Sequence, residues 1–147
     1  MNINRKIIVI HGPNLNMLGT REPDVYGSMT LAEIDAKMEQ IGKEIGLEVE
    51  TFQSNHEGAI VDKIQEATGN CQGLIINPAA YTHTSIAIRD ALLLLDIPII
   101  EVHLSNVYKR EPFRHKSTIS DIVTAKMVGL GVNGYFLAVK AVEQILG

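Results

Sequence analysis

Residues 73–102 read GLIINPAAYTHTSIAIRDALLLLDIPIIEV, and this stretch decides the fold class. The runs Gly73–Asn77 and Ile97–Val102 are short and apolar, which is typical of buried strands. Between them, Ser85 to Leu95 has the spacing of a helix. This helix becomes apolar nearly all round at residues 92–95, so we expect it to be covered on more than one side. A helix between two buried strands predicts a βαβ unit with parallel strands.

The alternation of strands and helices continues on both sides of this unit. Capping boxes predict helix starts at Thr30 and Ser54, and Thr82 or Thr84 is the expected cap of the helix in the unit above. Further strands are predicted at Ile7–Ile10, Leu47–Phe52 and Ile122–Val128, and further helices at Leu31–Ile45, Ser54–Ala67 and Gly134–Leu146. We therefore predict a single domain over residues 1–147 with a flavodoxin-like, doubly wound α/β fold. Its five-stranded parallel sheet would have the order 2-1-3-4-5, with helices on both faces.

Composition excludes several classes of function. The net charge of −4 argues against nucleic acid as the main partner, because phosphate binding favours a basic surface. The only cysteine, Cys71, permits no intrachain disulfide and is expected to be a small buried apolar residue. No apolar run approaches the ~20 residues of a membrane helix, and the N-terminus lacks the pattern of a signal peptide, so we expect a cytoplasmic protein.

Motifs for common cofactors are missing as well. The chain has no GxGxxG, GxxxxGK[ST] or GxSxG pattern, which argues against a dinucleotide, a nucleoside triphosphate and a serine hydrolase. His11 and His56 do not form a convincing metal set with any nearby pair of carboxylates.

The predicted fold places ligands beyond the carboxyl ends of the strands. Four segments that follow predicted strands are rich in hydrogen-bonding groups: residues 11–16, 53–56, 77–83 and 101–106. The first of them opens a long connection, Gly12–Met29, which has the length of a functional lid.

This predicted lid carries Arg21 and Tyr26. A free tyrosine has a pKa of about 10 and is a poor base near neutrality, but a nearby guanidinium favours the phenolate. The two side chains are therefore a candidate base with its activating cation. The alternative is a loop tyrosine that packs its ring and leaves its hydroxyl in water.

Glu101 and His103 are two residues apart on a predicted strand and therefore point to the same side. A carboxylate beside an imidazole fixes its tautomer and favours its charged form, which makes His103 a candidate proton donor. The alternative is a structural histidine at a strand end.

Several polar groups nearby are candidate substrate contacts. Leu104, Ser105 and Asn77 follow adjacent strands and could hold a carboxylate, although Asn77-Pro78 could also be a plain turn. His83 lies near the start of the predicted helix. Two further candidates have a simpler alternative: Asp90 as a surface carboxylate and Arg114 as part of a solvated loop. Asp90 is also a candidate for reaching the site of a neighbouring subunit.

The motifs become specific when they are taken together. In order along the chain they are His11–Asn16 with Leu18-Gly19, Arg21–Pro23 with Tyr26-Gly27, Phe52–Gly58, Asn77–Ser85 with Ile88–Asp90, Glu101–Asn106, Phe113-Arg114, and Gly129–Gly131 with Gly134-Tyr135. Over nearly its whole length the chain resembles the type II 3-dehydroquinate dehydratase family. It departs from the family pattern at no catalytic position, and Met17 and Val132 are tolerated variation.

This resemblance implies anti elimination of water from 3-dehydroquinate to 3-dehydroshikimate through an enolate, in the shikimate pathway of aromatic amino acid biosynthesis. Tyr26 would be the base and Arg21 would lower its pKa. Asn14 would place an ordered water near the enolate oxygen. His103 would protonate the departing hydroxyl, with Glu101 orienting it.

The resemblance also implies the substrate contacts and the assembly. Asn77, Leu104 and Ser105 would hold the carboxylate, and the ring hydroxyls would bind His83, Asp90 and Arg114. Family members form trimers, four of which make a dodecamer, so Asp90 would reach an adjacent subunit's site. No metal or organic cofactor is implied, and Lys126 would not form a Schiff base.

Two other classes of protein compete with this interpretation. A flavodoxin-like signalling module would need acidic residues after its first strand, where this chain has His11-Gly-Pro-Asn14. A family member that binds substrate without turning it over would be expected to lack some of the residues Arg21, Tyr26, Glu101 and His103, all of which are present.

Overall fold

The computed structural model describes residues 5–20, 24 and 27–147. The strands in this part of the chain are β1 (Arg5–His11), β2 (Leu47–Gln53), β3 (Gly73–Asn77), β4 (Ile99–His103) and β5 (Ala125–Val128). The helices are α1 (Leu31–Glu44), α2 (Glu57–Ala67), α3 (Ile86–Leu92) and α4 (Asn133–Leu146). No helix among these described residues is long and apolar enough to cross a membrane.

The described strands form one parallel sheet in the order β2-β1-β3-β4-β5, which confirms the predicted fold. Successive side chains of a strand point to opposite faces, so each buried strand contributes to two cores. On β1, Ile7 and Val9 pack with α1 and α4, whereas Ile8 and Ile10 pack with α2 and α3. Strands β1 and β3 are covered on both faces, which explains why residues 7–10 and 74–76 are continuous apolar runs. The edge strand β2 alternates instead and exposes Glu48.

Helix starts were predicted with mixed success. Thr30 caps α1 through the expected capping box with Glu33. The box predicted at Ser54 is wrong: His56 is the N-cap of α2, and the Ser54 hydroxyl accepts from the His56 N–H within a turn before the helix. The caps predicted for α3 are wrong as well, because Ser85 accepts the N–H of Ile88.

The ends of other elements also differ from their predicted positions. Residues 79–83 form a 3-10 turn before α3, and α3 ends at Leu92 rather than Leu95. Leu93 and Leu94 are 56% and 61% exposed, so the described residues do not supply the expected cover on several sides. Strand β5 is shorter than predicted, because Ile122 and Val123 lie in a turn that bonds back to Ile119.

Candidate active site

The carboxyl ends of β1, β3 and β4 border a cavity of about 190 Å³. The close approach of β1 to β3 depends on Gly12, whose N–H donates to the Asn77 carbonyl at 2.8 Å. A Cβ at Gly12 would lie 2.4 Å from the Pro78 carbonyl oxygen, so no other residue fits there without movement. Seven residues that sequence predicted for the site line this cavity: Asn14, Asn77, His83, His103, Leu104, Ser105 and Arg114.

Glu101 and His103 form a buried pair at the end of β4. Nε2 of His103 lies 2.5 Å from Oε2 of Glu101, and the two side chains are 6% and 0% exposed. The structure therefore confirms that they lie on one side of the strand. Nδ1 of His103 makes no hydrogen bond to any residue in the described part of the chain, so that nitrogen remains available to a ligand.

The Glu101 carboxylate receives further hydrogen bonds from two serines that sequence did not single out. Ser120 donates to Oε1 at 2.7 Å, and Ser117 donates to Oε2 at 2.9 Å. Lys126 lies 3.9 Å from Oε2 and donates to the Ser120 hydroxyl at 2.9 Å. The carboxylate is thus hydrogen-bonded at both oxygens although water does not reach it.

These contacts set the charge state of Glu101. Burial raises the pKa of Glu101, but the hydrogen bond and charge of His103, the hydrogen bond of Ser120 and the charge of Lys126 outweigh burial and lower that pKa below its ordinary value. Glu101 is therefore ionised near neutral pH, and it can stabilise an imidazolium at His103 when that ring carries a second proton.

Asn77 at the end of β3 has a fixed side-chain amide. Its Oδ1 accepts the N–H of Ala79 at 3.1 Å, and its Nδ2 donates to the Tyr135 hydroxyl at 3.0 Å. Because the Ala79 N–H can only donate, Oδ1 and Nδ2 are assigned without ambiguity. The second hydrogen of Nδ2 makes no hydrogen bond to a described residue, and Asn77 lines the cavity.

Three further polar residues that line the cavity already have partners within the protein. Asn14 has a left-handed backbone with φ of 69°, and its N–H donates to Oδ1 of Asn55 at 2.9 Å. His83 donates from Nδ1 to the Lys116 carbonyl at 2.8 Å, which leaves its Nε2 unprotonated in the neutral ring. Arg114 forms an ion pair with Glu111.

Arg110 also lines the cavity, although sequence did not single it out. One nitrogen of its guanidinium lies 3.4 Å from the Ser105 hydroxyl. Together with Arg114 it brings positive charge to the cavity of an acidic protein, which suits an anionic ligand.

Four of the eleven predicted residues are not among the seven that line the cavity. Glu101 contacts His103 but does not itself line the cavity. Asp90 is exposed and does not line it. Arg21 and Tyr26 lie outside the described residues. No cluster of three or more metal-ligating His, Cys, Asp or Glu side chains occurs among residues 5–20, 24 and 27–147.

The contacts of Lys126 and the burial of Cys71 give neither side chain a place in the cavity. Nζ of Lys126 also donates to the Tyr108 hydroxyl at 3.1 Å, and Lys126 does not line the cavity. Cys71 is buried, and burial raises the pKa of its thiol, which disfavours the nucleophilic thiolate.

Comparisons with known proteins agree on one family. Residues 5–143 match the family described as Dehydroquinase class II. A protein from Aspergillus oryzae named Catabolic 3-dehydroquinase is 59% identical over 138 residues, which are 94% of this chain and 90% of that protein. A 3-dehydroquinate dehydratase from Endomicrobium trichonymphae is 55% identical over 142 residues, which are 97% of this chain and 99% of that protein.

A solved structure gives the same result for the fold. The type II dehydroquinase from Propionibacterium acnes superposes with a TM-score of 0.93 at 42% sequence identity. The superposition covers 98% of this chain and 99% of that one.

Proposed function

The chain belongs to the class II dehydroquinase family, and on this premise we propose that it removes water from 3-dehydroquinate to give 3-dehydroshikimate. The observation that carries this proposal is the buried Glu101–His103 pair beside a cavity that is also lined by Asn77, whose amide has one hydrogen without a partner among the described residues. A proton donor close to anion-binding groups suits the loss of a hydroxyl from a carboxylate-bearing substrate.

The proposed reaction is an anti elimination through an enolate. The Tyr26 phenolate takes a proton from the carbon beside the ketone, and the electron pair of that C–H bond forms the enolate. Arg21 favours the phenolate. The enolate then re-forms the ketone and expels the hydroxyl, which leaves as water with a proton from His103.

Two side chains support this reaction without transferring the substrate's protons. Glu101 holds the His103 ring and stabilises its positive charge before the transfer. Asn14 lines the cavity and is proposed to place an ordered water at the enolate oxygen. Negative charge that develops there is stabilised by donors already in position.

Substrate binding is proposed to divide between two groups of residues. Asn77 and the backbone N–H groups of Leu104 and Ser105, with the Ser105 hydroxyl, hold the carboxylate. The ring hydroxyls are proposed to bind His83, Arg114 and Asp90, the last from an adjacent subunit.

A direct assay tests the activity. Purified protein in a buffer treated with chelator should convert 3-dehydroquinate into a product with enone absorbance, because no step is assigned to a metal. Absence of turnover at every accessible pH would contradict the proposed function.

The role of Tyr26 is tested by a single substitution. Tyr26→Phe removes the proton acceptor and keeps the ring, so turnover should fall by about 10³-fold while substrate affinity stays close to that of the wild type. Turnover within about tenfold of the wild type would remove Tyr26 from this role.

We also propose a homo-oligomer of four trimers. Ile86, Leu93 and Leu94 are each more than half exposed on and just after α3, the helix that carries Asp90. Exposed apolar side chains that cluster in this way are typical of an interface. Light scattering should give the mass of a dodecamer, and Leu94→Glu should lower that mass; a monomeric wild-type protein would contradict the assembly.

Lys126 is proposed to stay unmodified during turnover, because its amine is hydrogen-bonded to Ser120 and Tyr108 outside the cavity. Borohydride added with substrate should leave no covalent adduct on Lys126. An adduct identified by mass spectrometry would show a different mechanism.

The proposed setting is the shikimate pathway of aromatic amino acid biosynthesis in the cytoplasm. A strain that lacks its own dehydratase should grow without added aromatic amino acids when it expresses this chain. Failure to grow, with active protein present in the cells, would contradict the biosynthetic role.

A further inference from the structure

Hydrogen bonds connect four polar side chains in series, from Asp35 on α1 through His11 and Tyr135 to Asn77. Asp35 on α1 accepts from Nε2 of His11 at 2.8 Å, and Nδ1 of His11 lies 2.9 Å from the Tyr135 hydroxyl. The same hydroxyl accepts a hydrogen bond from Nδ2 of Asn77 at 3.0 Å. His11 and Tyr135 are both 0% exposed, and neither lines the cavity.

The direction of each hydrogen bond in this series follows from the groups at its two ends, the Asp35 carboxylate and the Asn77 amide nitrogen. Nδ2 of Asn77 can only donate, so the Tyr135 hydroxyl accepts there and uses its own hydrogen to donate to Nδ1 of His11. His11 is then neutral with its hydrogen on Nε2, which donates to the Asp35 carboxylate. A second proton on His11 would leave the Tyr135 hydrogen without an acceptor among the described residues.

The Tyr135 hydroxyl keeps its proton within this series of hydrogen bonds. Burial raises the pKa of Tyr135 well above its ordinary value, so its proton stays in place across the working pH range. A buried hydroxyl costs free energy unless its hydrogen bonds are made, and here both of them are made.

We propose that Tyr135, held by His11 and Asp35, is a positioning residue that keeps the Asn77 amide nitrogen turned toward the substrate carboxylate. Tyr135 fixes one Nδ2 hydrogen and thereby directs the other into the cavity. The inference rests on the proposed function, because it concerns the same carboxylate contact. Tyr135, His11 and Asp35 would act on the substrate only through Asn77, since none of the three lines the cavity.

The proposal predicts a loss of substrate affinity with little loss of chemistry. Tyr135→Phe removes the acceptor for Nδ2 of Asn77 and leaves the proton donor and base unchanged. We expect KM to rise about tenfold, the equivalent of one hydrogen bond, while kcat stays within about twofold. Tyr81→Phe is the matched control, since its hydroxyl donates at 2.8 Å to the Asn55 carbonyl and has no contact with Asn77; its KM should match the wild type.

A double-mutant cycle separates this role from a general effect on structure. In an Asn77→Ala background Tyr135→Phe should no longer raise KM, because the amide that it positions is gone. Equal increases in both backgrounds, or an unchanged KM in Tyr135→Phe alone, would overturn the inference while the proposed function stands. A wild-type protein without turnover would reject the proposed function and this inference with it.

A second pair of variants keeps the proposal testable if Tyr135→Phe fails to fold. His11→Asn retains an oxygen near the position of Nδ1 and can still accept from Tyr135, whereas His11→Leu cannot. We expect Leu to raise KM about tenfold and Asn to restore it to within about threefold of the wild type. Equal values of KM for the two variants would overturn the inference.

Discussion

His11 and His103 invite a direct comparison, because both are buried at the carboxyl edge of the sheet and both contact a carboxylate. His11 uses both ring nitrogens, one on Tyr135 and one on Asp35. His103 uses only Nε2, on Glu101, and its ring lines the cavity. The comparison teaches that burial beside a carboxylate does not identify a proton donor. What distinguishes His103 is a ring nitrogen that the described protein leaves unused.

Replacing His103 should reduce kcat far more than replacing His11. His103→Ala removes the proposed acid, so kcat should fall by about 10²–10⁴-fold, the usual contribution of a general acid. His11→Leu should change kcat by no more than about twofold, since His11 acts only on affinity. Steady-state kinetics with 3-dehydroquinate measures both. Similar losses of kcat in the two variants would remove the distinction.

The carboxylates that contact the two histidines, Glu101 and Asp35, should differ in the same direction but with a smaller effect on kcat. Glu101→Gln removes the charge that stabilises protonated His103, and we expect kcat to fall about 10–100-fold, as for one charge-assisted hydrogen bond. Asp35→Asn is the matched control, because its amide oxygen can still accept from Nε2 of His11. The control should keep kcat within about twofold of the wild type. A control as impaired as Glu101→Gln would count against the assignment.

Removing one hydrogen bond to the Glu101 carboxylate should have a weaker effect. Ser120→Ala deletes the donor to Oε1 and the acceptor for Lys126, so kcat should fall about fivefold, with KM nearly unchanged. A rise in KM without a change in kcat would mean that Ser120 acts on substrate binding instead.

The smallest effect concerns stability at acid pH. The pKa of Glu101 is lower in the folded chain than in the unfolded chain, so its contribution to stability is present above the unfolded pKa and is lost as pH falls through the folded pKa. Glu101→Gln lacks this titration. Urea unfolding from about pH 6 to about pH 3 should therefore show a shallower loss of unfolding free energy for the variant than for the wild type. Parallel curves would contradict the pKa direction.

The strands were predictable from sequence, because they are short segments rich in apolar residues that helices separate. Their order was inferred from the doubly wound fold class and not from the periodicity. Helix starts were less predictable. Ser54 and Glu57 have the spacing of a capping box, yet the Ser54 hydroxyl serves a local turn instead. A hydroxyl that can satisfy either the helix or the turn before it leaves the same pattern in the sequence.

Asn14, Asn77, Leu104 and Ser105 were predictable because they lie at or just after the ends of strands, whereas Arg110 lines the cavity and was not singled out. Ser117, Ser120 and Tyr135 were not predictable, since each reaches the site across a separate packing contact. Nothing in the polar stretch around Ser117 distinguishes it from a solvated loop. The exposed position of Asp90 agrees with either of its two predicted roles, and Tyr26 remains a prediction.

A crystal structure of the protein with bound 3-dehydroshikimate would show whether one cavity holds the ring between the proposed base and the proposed acid. We expect the product carboxylate at hydrogen-bond distance, about 3 Å, from Nδ2 of Asn77 and the Ser105 N–H, with the carbon ring between the Tyr26 hydroxyl and the His103 imidazole. A product bound elsewhere would contradict the proposed reaction. So would a structure in which Tyr26 and His103 share no cavity, either within one subunit or between subunits.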